Sequence, residues 1–297
     1  MSSERNSRIQ RALTVALVGN ISSAMIKMVF GLLANSIAMF ADAVHSMFDS
    51  VSSVIGIYGN KISAKPPDIE HPYGHSKFEQ IATLGITVML FVACFNMMHE
   101  AIERAIANVI PSITLYSFAS ILASLSISLS ISIYERRVGR STSSMILLAD
   151  SSHSLTDVLA SLVVIGGFFG INMGFSYADS FAATLVCLFI GYVGFSLFKG
   201  AASVLVDRGI TLDTLMKVKA TVDGLSEGVE CHNVRGRVVG DKIYIDMHVT
   251  VKGDLSVEQS HRITEVIEKR LKRVIKGTEE VIIHVEPSRK PREKEMR

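Results

Sequence analysis

Residues 41–49 read Ala-Asp-Ala-Val-His-Ser-Met-Phe-Asp, and residues 149–157 repeat the pattern as Ala-Asp-Ser-Ser-His-Ser-Leu-Thr-Asp. Both copies lie inside long apolar segments, which are candidates for helices that cross a membrane. A helix places residues four apart on one face, so each copy presents an imidazole and a carboxylate together. Because a charged group within a membrane helix costs roughly 3 kcal/mol, the two repeats mark these segments as the centre of the fold.

The two repeats together supply a candidate set of four metal ligands: His45 and Asp49 from the first copy, and His153 and Asp157 from the second. Two nitrogens and two oxygens suit a tetrahedral site for Zn²⁺, although Co²⁺, Cd²⁺ and Ni²⁺ would also bind such a set. A single intramembrane His or Asp could equally hydrogen-bond a neighbouring helix. Two matching pairs favour an ion path.

The composition indicates a membrane protein with a soluble part. The chain has 297 residues, 48% of them hydrophobic, and a mean hydropathy of +0.37, which is too apolar for an ordinary soluble protein of this length. A net charge of +2 gives no reason to expect a nucleic-acid partner. The cysteines are odd in number and form no Cys-x-x-Cys motif, so they indicate neither a disulfide framework nor a thiolate zinc site.

The apolar segments predict an α-helical membrane domain over residues 1–208. Six spans are expected at about residues 12–33, 37–60, 78–98, 113–133, 145–169 and 178–198. Basic residues are concentrated before the first span and in the loops at 61–65 and 135–140, which predicts a multi-pass protein of the cell membrane with both termini in the cytoplasm. The two motif spans are then antiparallel, and their ligands meet near the midplane of the bilayer.

One further charge lies within a predicted span. Lys27 is expected towards the outer side of the first span. It is interpreted as a snorkelling lysine or as a partner for an acidic neighbour such as Asp42, in preference to a role in transport.

Residues 209–288 predict a small α+β domain in the order α-β-β-α-β, followed by a charged, disordered tail at 289–297. A helix is expected at 211–225, strands at 231–239, 242–251 and 280–286, and a second helix after a capping box at 256–259. The second helix is expected to bury a stripe of five apolar residues, namely Ile263, Val266, Ile267, Leu271 and Val274.

The placement of the 9 histidines is a second signal. The loop after the second span offers Asp68, His71 and His75 within eight residues. Four more histidines lie in the soluble domain, and two carboxylates, Asp246 and Glu286, each stand two residues from a histidine on the same strand face. The four histidines of the soluble domain are His232, His248, His261 and His284. Each one alone fits a solvated position, but as a set they favour metal binding.

With these residues in hand, the chain resembles the cation diffusion facilitator family, zinc transporters with six membrane helices and a cytoplasmic metallochaperone-like domain. The resemblance rests on the two repeats and on the loop at residues 65–79, and it covers nearly the whole chain. It implies transport ligands at the four repeat positions and a loop site at Asp68, His71 and His75. It also implies cytoplasmic ligands at His232, His248, His261, His284 and Glu286.

The resemblance further implies a homodimer in the lipid bilayer that exchanges metal ions for protons. It implies that Lys77 and Asp207 pair to lock the dimer, and that the protein is not an enzyme and uses no organic cofactor. The His-Asp form of both repeats looks like the zinc-selective branch of the family.

The leading hypothesis is therefore a secondary transporter that exports Zn²⁺ from the cytoplasm in exchange for protons. One alternative is an intramembrane metallohydrolase, but four protein ligands leave no open position to activate water. Another is a membrane-bound metal sensor without transport, which would not need two inverted ligand pairs at the midplane.

Overall fold

A computed structural model of the chain describes residues 2–33, 37–107, 115–172, 178–225, 229–240 and 242–288. The chain divides into two compact units, Met1–Ala202 and Ser203–Arg297. The predicted tail at 289–297 and the predicted start of the fourth span at Ile113 lie outside the described residues. The predicted domain boundary after residue 208 stays a prediction.

Six long helices are present in the described part of the chain: α1 (Ser2–Leu33), α2 (Ile37–Ser63), α3 (Phe78–Ala107), α4 (Leu115–Thr142), α5 (Met145–Asn172) and α6 (Ala178–Leu205). Over the described residues, α1, α3, α4 and α6 are long and apolar enough to cross a membrane by length and composition. The polar repeats lie on the other two, α2 and α5. The predicted helical membrane fold is confirmed, whereas the number of six crossings stays a prediction.

An ionic clamp collects several helix ends at one end of the helical unit. The Arg5 guanidinium donates to both carboxylate oxygens of Glu79, at 3.0 and 3.3 Å, and its Nε donates to the carbonyl of Thr142 at 2.9 Å. The N–H of Met145 donates to the same carboxylate at 3.2 Å. The starts of α1, α3 and α5 therefore lie together with the end of α4. Asn60, near the end of α2, donates to the carbonyl of Asn6 near the start of α1 at 3.1 Å. α2 therefore ends where α5 begins, and the two repeats run antiparallel.

The second unit has the predicted order α-β-β-α-β. It consists of α7 (Leu212–Asp223), β1 (Glu230–Val239), β2 (Lys242–Val251), α8 (Val257–Val274) and β3 (Thr278–Pro287). The sheet order is β1-β2-β3, with β1 antiparallel and β3 parallel to β2. The predicted capping box is confirmed, since Ser256 and Gln259 exchange side-chain and backbone hydrogen bonds at the start of α8.

The core of this unit lies on one face of the sheet. The odd-numbered residues of β2 from Ile245 to Val251 are buried, and the even-numbered residues alternate onto the opposite face. The buried odd-numbered residues pack against residues of both helices, namely Val218, Val222, Ile267 and Leu271. The buried stripe of α8 is narrower than predicted, because Val266 and Val274 are 48% and 53% exposed. Ile263, Ile267 and Leu271 follow the four-residue spacing that keeps side chains on one face.

Candidate metal-binding sites

The membrane site is centred on a buried imidazole that belongs to α5. The side chain of His153 is 3% exposed, and its Nε2 lies 3.6 Å from Oδ1 of Asp49 on α2. This separation is longer than a hydrogen bond, and within the described residues neither ring nitrogen has a hydrogen-bond partner. Buried polar atoms normally have partners. The imidazole nitrogen and the carboxylate oxygen therefore face each other at a separation that a shared cation would bridge.

The other predicted ligands of the two repeats are Asp157 and His45. Asp157 follows His153 by one helical turn, and the carboxylates of Asp157 and Asp49 line one polar cavity of about 20 Å³. That volume has room for about one water-sized species. His45 lies on α2 one turn before Asp49, and its side chain is outside the described residues. Three of the four predicted ligands thus converge in the described structure.

The two helices present these ligands at matched depth. Asp49 stands 14 residues before the end of α2 at Ser63, and Asp157 stands 12 residues after the start of α5 at Met145. At 1.5 Å per residue both lie about 20 Å from the clamped end of the helical unit. A site at this depth is reached only by an ion that has entered between the helices.

Asp150, the first acid of the second repeat, holds the two motif helices together. Its side chain is fully buried and accepts hydrogen bonds from the hydroxyls of Ser52 at 2.7 Å and Ser53 at 2.9 Å. These bonds cross from α5 to α2 one turn before His153. The sequence analysis gave this acid no role, and the structure makes it a positioning residue for the imidazole.

The cavity also contains polar residues that the sequence analysis missed. Besides the two carboxylates it is lined by Asn20, Ser23, Lys27, Ser46, Ser124, Ser128 and Ser161. A signal for the α4 contribution was present, because serine recurs every four residues at 120, 124, 128 and 132, and each of these side chains is only 4% exposed. Such a polar stripe in an apolar helix indicates a face turned towards polar neighbours.

A second candidate site lies in the loop between α2 and α3. Ligand atoms of Asp68, His71 and His75 all lie within 4.8 Å of one another. The Asp68 carboxylate is 3.3 Å from Nε2 of His75 and 3.5 Å from Nδ1 of His71. Nδ1 of His75 bonds the carbonyl of Pro66 at 3.2 Å. A carbonyl only accepts, so Nδ1 carries the proton and Nε2 is left as the ligand atom.

The loop holds its carboxylate in the ionised form. The backbone N–H of His71 donates to Asp68 at 2.7 Å, and this bond is the main cause of a lowered pKa for the Asp68 carboxyl, helped by the two imidazoles. An ionised carboxylate beside two imidazoles provides one oxygen and two nitrogen ligands. The loop residues predicted from the sequence are therefore brought together.

A third candidate site lies on the open face of the soluble sheet. His232, His248 and His284 are direct cross-strand neighbours in register on β1, β2 and β3. Adjacent rings are 5.3 and 4.9 Å apart between centroids. Glu286 joins them: its carboxylate lies 2.8 Å from His248, 3.4 Å from His232 and 3.8 Å from His284. Neighbouring positions on three strands thus form one cluster of three imidazoles and a carboxylate.

The central histidine of this cluster is satisfied in the described structure. Nδ1 of His248 donates to Glu286 at 2.8 Å, and its Nε2 lies 3.3 Å from the amide nitrogen of Asn233. The hydrogen bond from His248 is the main cause of a lowered pKa for the Glu286 carboxyl. A metal ion at this cluster replaces existing hydrogen bonds.

Two other predicted residues, His261 and Asp207, lie outside these clusters. His261 lies on α8, with its imidazole 3.6 Å from Glu265 one turn later, and it is not part of the sheet cluster. Asp207 lies 3.8 Å from the guanidinium of Arg237 within the soluble unit. The pairing of Lys77 with Asp207 between copies of the chain stays a prediction.

A helical unit whose antiparallel repeats bring His153, Asp49 and Asp157 together, and a soluble unit that carries a histidine cluster, are typical of a membrane protein that handles divalent metal ions. Residues 13–206 match the family described as Cation efflux transmembrane domain, and residues 210–288 match the family described as Cation efflux protein, cytoplasmic domain. The chain belongs to the cation efflux family, which confirms the resemblance drawn from its motifs.

Several relatives match over their full length or nearly so. Manganese efflux system protein MneP of Bacillus subtilis is 29% identical over 97% of this chain and 99% of its own length. Cation-efflux pump FieF of Shewanella oneidensis is 27% identical over 88% of each chain. Among solved structures, the metal-bound C-terminal domain of the CzcD transporter from Thermotoga maritima is 36% identical over 26% of this chain and 88% of that domain, with a TM-score of 0.25.

Family membership settles the class of function. The chain is a multi-pass membrane protein and a metal transporter of the efflux type, and it is not an enzyme. The metallohydrolase alternative is therefore excluded. The matched family is described by cation efflux, which favours transport over the sensor alternative.

Proposed function

We propose that this chain exports Zn²⁺ from the cytoplasm in exchange for protons, as a homodimer in the cell membrane with both termini in the cytoplasm. The observation that carries the proposal is the pairing of His153 with Asp49. A buried imidazole without a hydrogen-bond partner among the described residues faces a carboxylate on an antiparallel helix at 3.6 Å. An imidazole nitrogen and a carboxylate oxygen at this separation can both coordinate a cation that binds between them.

The choice of metal follows from the ligand types. The relative from Bacillus subtilis is named for manganese, so Mn²⁺ is the main competitor. Mn²⁺ prefers hard oxygen ligands, whereas imidazole nitrogen favours Zn²⁺. His153, with His45 as the expected second imidazole, supports Zn²⁺; Co²⁺, Cd²⁺ and Ni²⁺ are the ions that the same ligand set admits.

Proton exchange follows from the same ligands. An imidazole must be neutral to bind a metal, so Zn²⁺ and H⁺ compete for the nitrogens of His153 and His45. When the metal leaves, Asp49 and Asp157 remain in a membrane-embedded cavity, where uncompensated charge is costly. Protons taken up at the outer side compensate these carboxylates during the return of the empty transporter. We therefore expect at least one proton to move inward for each metal ion that leaves.

The orientation and the role of the soluble unit complete the proposal. Arg5, Arg8 and Arg11 precede the apolar part of α1, and the end of α4 is also basic, which supports a cytoplasmic position for this end of the helices. The match of residues 210–288 to a cytoplasmic domain family supports the same side for the soluble unit. Metal bound at its open sheet face near a two-fold axis would draw two copies together and couple cytoplasmic metal to transport.

The test is a flux panel in proteoliposomes that contain the full-length protein. Zn²⁺, Co²⁺, Cd²⁺, Mn²⁺ and Fe²⁺ are compared with and without an imposed pH gradient. We expect Zn²⁺ flux to be fastest, to rise with a proton gradient of opposite direction, and to collapse when a protonophore is added. Asp157→Asn should abolish the flux, and Lys199→Met, a charge change on an exposed position of α6, should not.

Different results would contradict different parts. Flux that ignores the pH gradient would overturn the proton exchange, and faster Mn²⁺ than Zn²⁺ flux would overturn the choice of metal. Normal flux in Asp157→Asn would remove the membrane site itself.

A further inference from the structure

The lysine within α1 reaches the candidate transport cavity. Lys27 is half-buried, and its Nζ donates to the hydroxyl of Ser46 at 2.7 Å. Ser46 is itself buried and belongs to the first repeat, directly after His45. The ammonium is therefore aimed at the metal-ligating segment of α2. A snorkelling lysine would instead extend towards the end of α1, six residues later at Leu33.

The cavity that Lys27 lines is small and strongly charged. It holds the carboxylates of Asp49 and Asp157, and its other walls are serine and asparagine side chains. At about 20 Å³ it has room for about one water-sized species beside the ammonium. A metal ion that binds the two carboxylates must therefore come close to a fixed positive charge.

The effect of Lys27 depends on its attraction to the carboxylates and on its repulsion from a bound metal ion. Without metal, the ammonium offsets the negative charge of two carboxylates that would otherwise be exposed to low dielectric. With metal, a divalent ion and the ammonium a few ångströms apart repel each other, and the low dielectric of the protein interior screens this repulsion less than water would. The same side chain thus stabilises the empty site and destabilises the loaded one.

We propose that Lys27 is a tethered counter-cation of the transport site, which offsets one of the two negative charges of Asp49 and Asp157 in the empty state and has to withdraw when a metal ion binds. The inference rests on the proposed transport function of these carboxylates. Lys27 then sets the affinity, because it keeps metal binding weak enough for release. Together with the protons taken up at the outer side, it compensates the charge of the empty site while the site reorients. Tight binding without release would stop the cycle.

The test compares Lys27→Met and Lys27→Gln, which remove the charge, with Lys27→Arg, which keeps it. Lys199→Met is the matched control on α6. Zn²⁺ affinity is measured on purified full-length protein by competition with a chromophoric chelator. All proteins carry His71→Ala and His248→Ala, so that the loop and sheet clusters do not contribute. Zn²⁺ flux is measured for the same Lys27 variants without these two changes.

We expect both neutral variants to lower the Kd for Zn²⁺ by about tenfold or more. Their flux should show a lower KM together with a lower maximal rate, because release becomes slow. Lys27→Arg should keep both the Kd for Zn²⁺ and the flux within about threefold of the unaltered protein. Lys199→Met should have the same Kd and flux as the unaltered protein. If either neutral variant folds poorly, the other still provides the comparison.

An unchanged or raised Kd in the neutral variants would overturn the counter-cation role, as would Lys27→Arg behaving like Lys27→Met. Failure of the proposed function gives a separate result. If Asp157→Asn transports Zn²⁺ normally, the cavity is not the transport site. If Asp157→Asn is inactive while Lys27→Met leaves the Kd unchanged, only the role of Lys27 is wrong.

Discussion

The membrane site and the histidine cluster of the soluble sheet have opposite surroundings. In the membrane, the side chain of His153 is 3% exposed and stands 3.6 Å from its carboxylate without a hydrogen-bond partner among the described residues. On the soluble sheet, His248 is 31% exposed, and its two nitrogens contact Glu286 at 2.8 Å and Asn233 at 3.3 Å. In the first site the imidazole makes no hydrogen bond to its carboxylate, whereas in the second site the imidazole is hydrogen-bonded to its carboxylate.

This difference assigns a different task to each site. A buried imidazole and carboxylate that do not satisfy each other lose little when a cation binds, and they exclude species that cannot supply the missing bonds. The solvated cluster exchanges hydrogen bonds for metal bonds, so its net gain is smaller and depends on metal concentration. The membrane site suits obligatory binding during transport, and the sheet cluster suits a graded response to cytoplasmic metal.

The largest expected effect separates the two sites by their contribution to flux. His153→Ala should lower Zn²⁺ flux in proteoliposomes by more than about 100-fold, because loss of a direct ligand exceeds the 10- to 100-fold effect typical of residues that only support a ligand. His248→Ala should change the maximal flux less than about threefold. Size-exclusion profiles identical to that of the unaltered protein would show that both variants remain folded. Comparable losses in both variants would contradict the division of tasks.

The next effect concerns stabilisation of the soluble unit by metal. Zn²⁺ at about 100 times its Kd should stabilise this unit by about 2.7 kcal/mol, because the histidine cluster is complete only when the sheet is folded. Hydrogen exchange of the β2 amides in the full-length protein measures this, with and without Zn²⁺. His248→Ala should lose most of the protection, and His261→Ala should lose less, since His261 lies outside the cluster. Equal losses would indicate that His261 is also a ligand.

A smaller effect is expected without metal at acid pH. Because the hydrogen bond from His248 lowers the pKa of the Glu286 carboxyl, this group stabilises the fold above the ordinary glutamic acid pKa of about 4.3. That stabilisation is lost as the pH falls through the lowered pKa. Acid unfolding of the metal-free protein, followed by far-ultraviolet circular dichroism, should therefore begin at higher pH in Glu286→Gln. The same acid profile in both proteins would show that the bond contributes nothing.

Much of the fold follows from one-dimensional patterns. The capping box at Ser256 and the alternating residues of β2 act within a few residues of themselves, so the sequence suffices to predict them. The width of the α8 stripe cannot be predicted in this way. Val266 and Ile267 are neighbouring apolar residues, yet Ile267 is buried and Val266 is 48% exposed. Tertiary contact decides such positions.

The sites were predictable to a different degree. The repeats predict the membrane ligands because a helix fixes the spacing of His153 and Asp157. The cavity was not predictable in full, since Lys27 enters it from α1 and the serines from α4, and only packing brings these helices together. Likewise, the three sheet histidines become one cluster through the strand register, which no local pattern specifies.

The smallest expected effect concerns a contact between a half-buried lysine and an exposed aspartate. The family resemblance predicts that this pair, Lys77 and Asp207, locks the dimer. Within one copy, Asp207 already lies 3.8 Å from Arg237, so the two cations compete for one carboxylate. Exposed ion pairs contribute about 0.2 to 1 kcal/mol, and we expect a double-mutant cycle of Lys77→Ala and Asp207→Ala to give a coupling energy of that size for dimer dissociation, measured by analytical ultracentrifugation. The matched cycle of Arg237→Ala and Asp207→Ala should show no coupling for dissociation, because that pair is internal to one copy. The reverse result would assign Asp207 to the stability of the soluble unit and leave the dimer without this lock.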